Sequence, residues 1–195
     1  MRFSHLHEIS AICAAASTPI GRLMIQEQVQ ETNTTEEEIF RQMSDYYEVM
    51  KEAVHRGQTQ DTVSRSGLTG GDGKRLAEYL RAGETCSGDA SALAMAYALS
   101  VSEVNASMGR IVATPTAGSC GVIPGVFISA QERFGWDDEH MVHGLFAAGA
   151  IGYVIANNSF ISGAEGGCQA EIGSAIGMAA GAMVELRGGT PEQAV

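Results

Sequence analysis

The stretch TTEEEIFRQMSDYYEVMKEAVHRG, residues 34–57, decides the fold class. Ile39, Met43, Tyr46, Tyr47, Met50 and Val54 recur at three- and four-residue intervals. That spacing gathers apolar side chains on one face of an α-helix and leaves the acids and bases on the other. Thr34 and Glu37 stand at capping-box spacing at the front, and Gly57 is expected to stop the run.

Outward from this segment the same signals recur. Thr18-Pro19 predicts a helix through about residue 29, with threonine as cap and proline in the first turn. GLTGGDG at 67–73 reads as loop within 58–73, followed by helices over 74–82 and 89–108 that end at Gly83 and Gly109. The pattern resumes from Val122 to Gly135, and Asp137 caps a helix to about Ala156 that Asn157-Asn158 breaks. In a last long helix Gly173, Gly177 and Gly181 fall in one row, which predicts close backbone packing and deep burial. Strand signals are nearly absent. The expectation is an all-α protein: one compact helical domain over 1–195, with about seven to eight helices and glycine-rich loops.

The chain has 195 residues, 45% of them hydrophobic, enough for a sizeable core. A formal net charge of −11 and the lack of a basic stripe disfavour nucleic acid and anionic membranes as partners. Charge is uneven: Arg110, Arg133 and Arg187 are the only bases after residue 81, and most of the 24 glycines lie there too. Such a region is expected to be largely buried. The apolar run from Met141 to Ala156 is shorter than the roughly 18–20 residues a span needs and contains His143, so it reads as a buried helix. At the N-terminus His5, His7 and Glu8 interrupt what would be the apolar core of an export signal. An ordinary amphipathic helix and a cytoplasmic protein are expected.

Four cysteines, Cys13, Cys86, Cys120 and Cys168, stand far apart without a CxxC pair, so disulfides are not expected. Cys13 reads as a small hydrophobe, and Cys120 as a small residue in a tight loop, with a helix-start nucleophile as its rival role. His140 and His143 share a helix face but have no further ligand in view, while His5 and His7 cannot both face one side of a helix. The loops TGGDG (69–73) and TPTAGSCG (114–121) each precede a helix, where free amides favour an anion. Asn157, Asn158, Ser162, Glu165, Cys168, Gln169 and Glu171 form a polar, thiol-bearing island between apolar helices, which marks a site without naming its reaction.

GLTGGDG, ATPTAGSCGVIPG (113–125) and NNSFISGAEGGCQAEIGSA (157–175), in this order and spacing, closely resemble the alpha chain of the two-chain bacterial iron-sulfur L-serine dehydratase. The resemblance implies a helical lyase subunit that converts L-serine to pyruvate and ammonia with an oxygen-sensitive 4Fe-4S cluster, an iron of which acts as Lewis acid on the serine hydroxyl. It makes Cys168 one of three cluster ligands, the other two lying in a downstream segment that this sequence does not contain. It also implies a beta chain as partner and supplier of the catalytic base, in an oligomer. Thr114, Thr116 and Ser119 are read as a cradle for the substrate carboxylate, with Asn158 and Ser162 as further substrate-binding residues. Thr190-Pro191-Glu192-Gln193 is a helix-start signal just before the sequence stops. The chain is therefore expected to be the N-terminal part of a longer protein, inactive and cluster-free by itself. A non-catalytic helical assembly module is the rival reading.

Overall fold

The computed structural model describes residues 1–83 and 85–195, and among them every regular element is helical. The order is α1 (Leu6–Ala16), α2 (Ile20–Thr32), α3 (Glu36–Thr59), α4 (Asp72–Ala82), α5 (Asp89–Ala106), a 3-10 turn (Ala117–Ser119), α6 (Val122–Phe134), α7 (Asp138–Asn158), α8 (Gly163–Leu186) and the short α9 (Pro191–Ala194). No helix of the described residues is long and apolar enough to cross a membrane. The chain divides into two compact units, one of Met1–Asp45 with Asp137–Val195 and the other of Tyr46–Trp136.

In the first unit α7 packs against both α2 and α8. Met141, Val142, Leu145, Phe146, Ile151 and Val154 of α7 are buried, which bears out the expected buried helix. Opposite them lie Ile20, Leu23 and Ile25 of α2, and Ala175, Met178, Ala179, Ala182 and Leu186 of α8. Glycines on both helices allow the close approach of α7 and α8, since a Cβ on Gly181 of α8 would collide with Ile151 of α7. A Cβ on Gly144 would stand 2.8 Å from Leu186 Cγ, and one on Gly152 would stand 2.7 Å from Met178 Cε.

The expectation for α8 is corrected in part. Gly181 is packed, with a Cβ there 2.5 Å from the Ala194 carbonyl oxygen, but Gly177 meets only Ile155 at 3.6 Å and Gly173 has nothing within 4 Å among the described residues. The buried face of α8 runs through residues 174, 175, 178, 179, 181 and 182, so the glycine row passes from exposed Gly173 to buried Gly181, and Ile172 and Ile176 are exposed near its outer end.

In the second unit α5 is the hub, packed against α4 and α6. Gly57 does not stop α3, which continues to Thr59; its missing side chain instead admits Ser100 of α5, whose Cα would lie 2.6 Å from a Cβ. Gly73 of α4 meets the same serine, 2.8 Å from its backbone nitrogen. Gly125 of α6 approaches α5 at Ala94, with a Cβ 2.7 Å from that carbonyl oxygen.

Caps account for most boundaries. Asp137 accepts from His140 N at 2.8 Å as expected, and Thr190 N donates to Gln193 Oε1 at 2.9 Å. The cap of α3 is Thr35, which accepts from Glu38 N at 3.2 Å, one residue later than the expected Thr34. α7 runs through Asn157 and Asn158 because their amides donate at 2.8 Å to Tyr153 O and Val154 O one turn back, extending the helix they were expected to break. α4 starts at Asp72, two residues early, and α5 ends at Ala106, where Gly109 N returns to Val104 O at 2.8 Å.

Four helix starts have no cap side chain of their own: Pro19 precedes α2, Gly71 precedes α4, Gly88 precedes α5 and Gly121 precedes α6. Thr18 is therefore not the cap of α2. Its first amides, Ile20 N and Gly21 N, donate to Glu185 of α8 at 2.5 and 2.9 Å. Asp72 N of α4 donates to Glu103 of α5 at 2.5 Å. A carboxylate at a helix N-terminus is favoured by both the free N–H groups and the helix dipole. Burial opposes this at Glu185 and is the largest influence there, so its carboxyl titrates above the ordinary 4.5 despite the two amides and nearby His143.

The consequence is a pH dependence of definite sign. The folded chain holds the Glu185 proton more tightly than the unfolded chain does, so this group favours folding below pH 4.5 and its contribution falls as pH rises through the raised folded value. Replacing Glu185→Gln keeps an acceptor for the α2 amides and should remove that decline in a denaturant titration run against pH. Replacing Glu185→Ala should cost about 1–2 kcal/mol, the scale of a lost cap.

Candidate functional site

The two groups of residues singled out in the sequence lie in different units of the chain. In the first unit, the segment after α7 surrounds a cavity of about 440 Å³ bordered by Asn157, Asn158, Phe160, Ser162 and Glu165. Asn158 donates one amide hydrogen to Val154 O and the other to Ser4 O at 2.7 Å, so its carbonyl oxygen is what remains for a ligand. The Ser162 hydroxyl accepts from Ala164 N at 3.2 Å and caps α8, which leaves its O–H free to donate.

Within α8 the backbone departs from helix at Gly167, with φ 74° and ψ 173°, a conformation that side chains disfavour. Cys168 follows directly and is exposed. The structure thus brings Asn158, Ser162 and Glu165 to one cavity and sets the thiol on the adjoining turn. Sequence reading placed Glu171 in the island without a role; its carboxylate reaches back across the break to accept from Gly163 N at 3.2 Å. Nothing in a linear pattern announces that contact, because it depends on the Gly167 conformation.

In the second unit the loop before α6 is closed by its own side chains. The Thr114–Pro115 peptide is cis. Ser119 is buried, and its hydroxyl donates to Thr114 O at 3.0 Å while standing 3.2 Å from Thr116 Oγ1. Ser119 therefore holds the loop together rather than offering itself outward. Thr114 Oγ1 is the unusual atom: it is buried and has no hydrogen-bond partner among the described residues. A hydroxyl in that state costs roughly 1–3 kcal/mol unless something else satisfies it. Thr116 is half-buried.

The four cysteines separate by environment. Cys13 and Cys120 are both 1% exposed, and burial pushes both thiols up to about 11. For Cys120 desolvation outweighs a backbone hydrogen bond that favours the thiolate, which weighs against the rival role as a nucleophile. Cys86 and Cys168 are exposed.

The histidines form no metal site among the described residues. His140 Nε2 lies 3.1 Å from Leu186 O, and the His143 ring packs on Phe40 with centroids 5.2 Å apart. His5 and His7 do stack, at 5.6 Å, against expectation, because His5 is the cap residue outside α1 and its backbone is extended.

The profile of the serine dehydratase alpha chain family matches residues 15–195. This chain belongs to that family. It is 47% identical over 191 residues to a protein named probable L-serine dehydratase, alpha chain, from Bacillus subtilis (strain 168), covering 98% of this chain and 63% of the relative. It is 43% identical over 188 residues to the L-serine dehydratase, alpha chain, of Peptoniphilus asaccharolyticus, covering 96% of this chain and 64% of the relative. A third relative, named L-serine dehydratase, from Streptomyces coelicolor (strain ATCC BAA-471 / A3(2) / M145), is 42% identical over 163 residues, with 81% of this chain and 35% of the relative covered. The chain thus spans less than two thirds of the length of these serine dehydratase relatives.

Exposure sets the order of thiol reactivity. Iodoacetamide at about pH 8, close to the ordinary thiol value, should label Cys86 and Cys168 and spare Cys13 and Cys120 until denaturant is added. Peptide mass mapping reads this directly, and labelling of Cys120 in the folded chain would reverse the assignment made from its burial.

Proposed function

We propose that the chain is part of a lyase that deaminates L-serine to pyruvate and ammonia, working with a beta chain in an oligomer. The support is the family membership, the names of the relatives, and the exposed thiol of Cys168 on the turn that follows a cavity bordered by Asn158, Ser162 and Glu165. The last of these carries the site assignment. Elimination of water from serine, after which the resulting imine is hydrolysed to pyruvate and ammonia, needs the amino acid held at its ammonium end while its α-proton is removed. Asn158, with its amide hydrogens committed, offers an oxygen suited to an ammonium, and Ser162 adds a hydroxyl. Within the second unit, and separately, Thr114, with its orphaned hydroxyl, and Thr116 are proposed for an anion, while Ser119 acts by holding their loop. The base that takes the α-proton is assigned to the partner chain.

The proposed cofactor is a 4Fe-4S cluster. An exposed cysteine on a turn where the two preceding residues are glycines fits one corner of such a site, since a thiolate there is unobstructed from that side. The described residues supply no group of three or more metal-ligating side chains, so the complete site does not fit within them. Cys168 is accordingly assigned as one contributed ligand. This chain by itself is expected to hold no cluster and to be inactive. Four unpaired cysteines suit a reducing cytoplasm.

In the full-length enzyme with its beta chain, Cys168→Ser should abolish pyruvate formation and lower bound iron and sulfide together. Full retention of activity would instead favour the helical assembly module, for which the outward row of Ile172, Gly173 and Ile176 offers a surface.

A further inference from the structure

The Cys168 turn is held by an interaction whose acceptor lies beyond it in the sequence. Residues 163–166 form a single helical turn, capped where Glu165 N and Gly166 N return to Ser162 O at 3.2 and 2.9 Å. Gly167 then breaks the helix, and a second helical stretch starts with Cys168. Across that break the first turn lies directly against the second stretch. A Cβ on Gly163 would fall 3.0 Å from Glu171 Cδ, and one on Gly166 would fall 2.6 Å from Ala170 Cβ. Residue 166 must be small for the two pieces to meet, and a side chain at 163 would press on the Glu171 carboxylate.

Packing alone does not fix the turn. Gly167 has open space around it among the described residues and a positive φ, so it is free to hinge unless something ties its two sides together. The tie in the structure is the Glu171 carboxylate, which accepts from Gly163 N at 3.2 Å. Gly163 is the first residue of α8, where an amide has no partner within the helix. One hydrogen bond therefore satisfies an orphan donor and closes the loop that contains Cys168.

We propose that Glu171 is the positioning residue for Cys168: by accepting from Gly163 N it locks the GAEGG turn on the following helix and fixes the direction of the thiol. This rests on the reading that Cys168 is a working thiol. Glu171 touches neither substrate nor cofactor in this role; it acts through the turn.

The test compares Glu171→Ala with Glu171→Gln in the full-length chain. Both remove the charge, but only glutamine keeps an oxygen that accepts from Gly163 N. Amide hydrogen exchange at Gly163 should be roughly three- to tenfold faster in the alanine variant, as for the loss of one hydrogen bond, and near the parent rate in the glutamine variant. The rate of iodoacetamide labelling at Cys168, taken relative to exposed Cys86, should change in the alanine variant and return in the glutamine variant. Continued protection of Cys13 and Cys120 certifies that both variants remain folded. Bound iron after anaerobic loading should follow the same order. The proposal is overturned if alanine matches the parent at Gly163 and Cys168, or if alanine and glutamine behave alike. An active Cys168→Ser enzyme would refute the working-thiol reading instead, and would leave the exchange result at Gly163 to stand or fall separately.

Discussion

The carboxylate of Glu185 on the first amides of α2 is the contact on which the first unit turns. It joins segments about 165 positions apart in sequence and sets the end of α8 against the start of α2, the two helices that sandwich α7. A proline start is well shaped for a helix but brings no side-chain acceptor, so the free amides of α2 need one from elsewhere. The second unit solves the same problem the same way, with Glu103 reaching from α5 to the glycine start of α4. Glu27, 3% exposed, is a third case, accepting from Arg2 N at 2.6 Å and pairing with the Arg2 guanidinium, which fastens the N-terminal segment to α2. Glu185 and Glu103, in the base-poor stretch after residue 81, are matched by backbone amides, and Glu27 by an amide and a cation together. The negative charge of the chain is thus partly structural.

The cysteines show the same competition between burial and local field. Helix starts favour a thiolate, and Cys120 stands near one, yet the cost of a buried charge exceeds what a few amides return. Only where the chain leaves the thiol in solvent, as at Cys168, can the residue act as a ligand without that penalty. Glycine-flanked exposure therefore distinguishes Cys168 from Cys13 more sharply than sequence spacing does.

Much of the fold was legible because it is local. The interval pattern of Ile39 to Val54, the Asp137 cap and the Thr190 start each involve residues within a turn or two, and the structure keeps all three except at Tyr46, which is 53% exposed while Val49 is buried instead. What was not legible depends on partners distant in sequence. Gly57 looks like a stop and is a contact for Ser100; Thr18 looks like a cap while the acceptor is Glu185. The glycine row of α8 has correct periodicity, but periodicity does not say which face a neighbour covers, and Met178, Ala179 and Ala182 decide that. At the site, motif reading singled out Asn158, Ser162 and Cys168, and family membership followed from the same stretches. The orphaned hydroxyl of Thr114 and the reach of Glu171 could not be seen, since each exists only once the loop has closed.

Glycine accordingly does three separate jobs in this chain, and they respond differently to change. At Gly144, Gly152, Gly57 and Gly125 it admits a neighbouring helix, so any side chain is resisted by packing. At Gly167 there is room for a side chain but not a compatible φ, so the resistance is conformational. At Gly173 neither constraint holds, because the site is helical and open among the described residues. A glycine there costs helix stability, about 1 kcal/mol relative to alanine, without a return visible inside the first unit. The physical demand for a small residue at that position must therefore come from outside the packing of α7 and α8, or be absent.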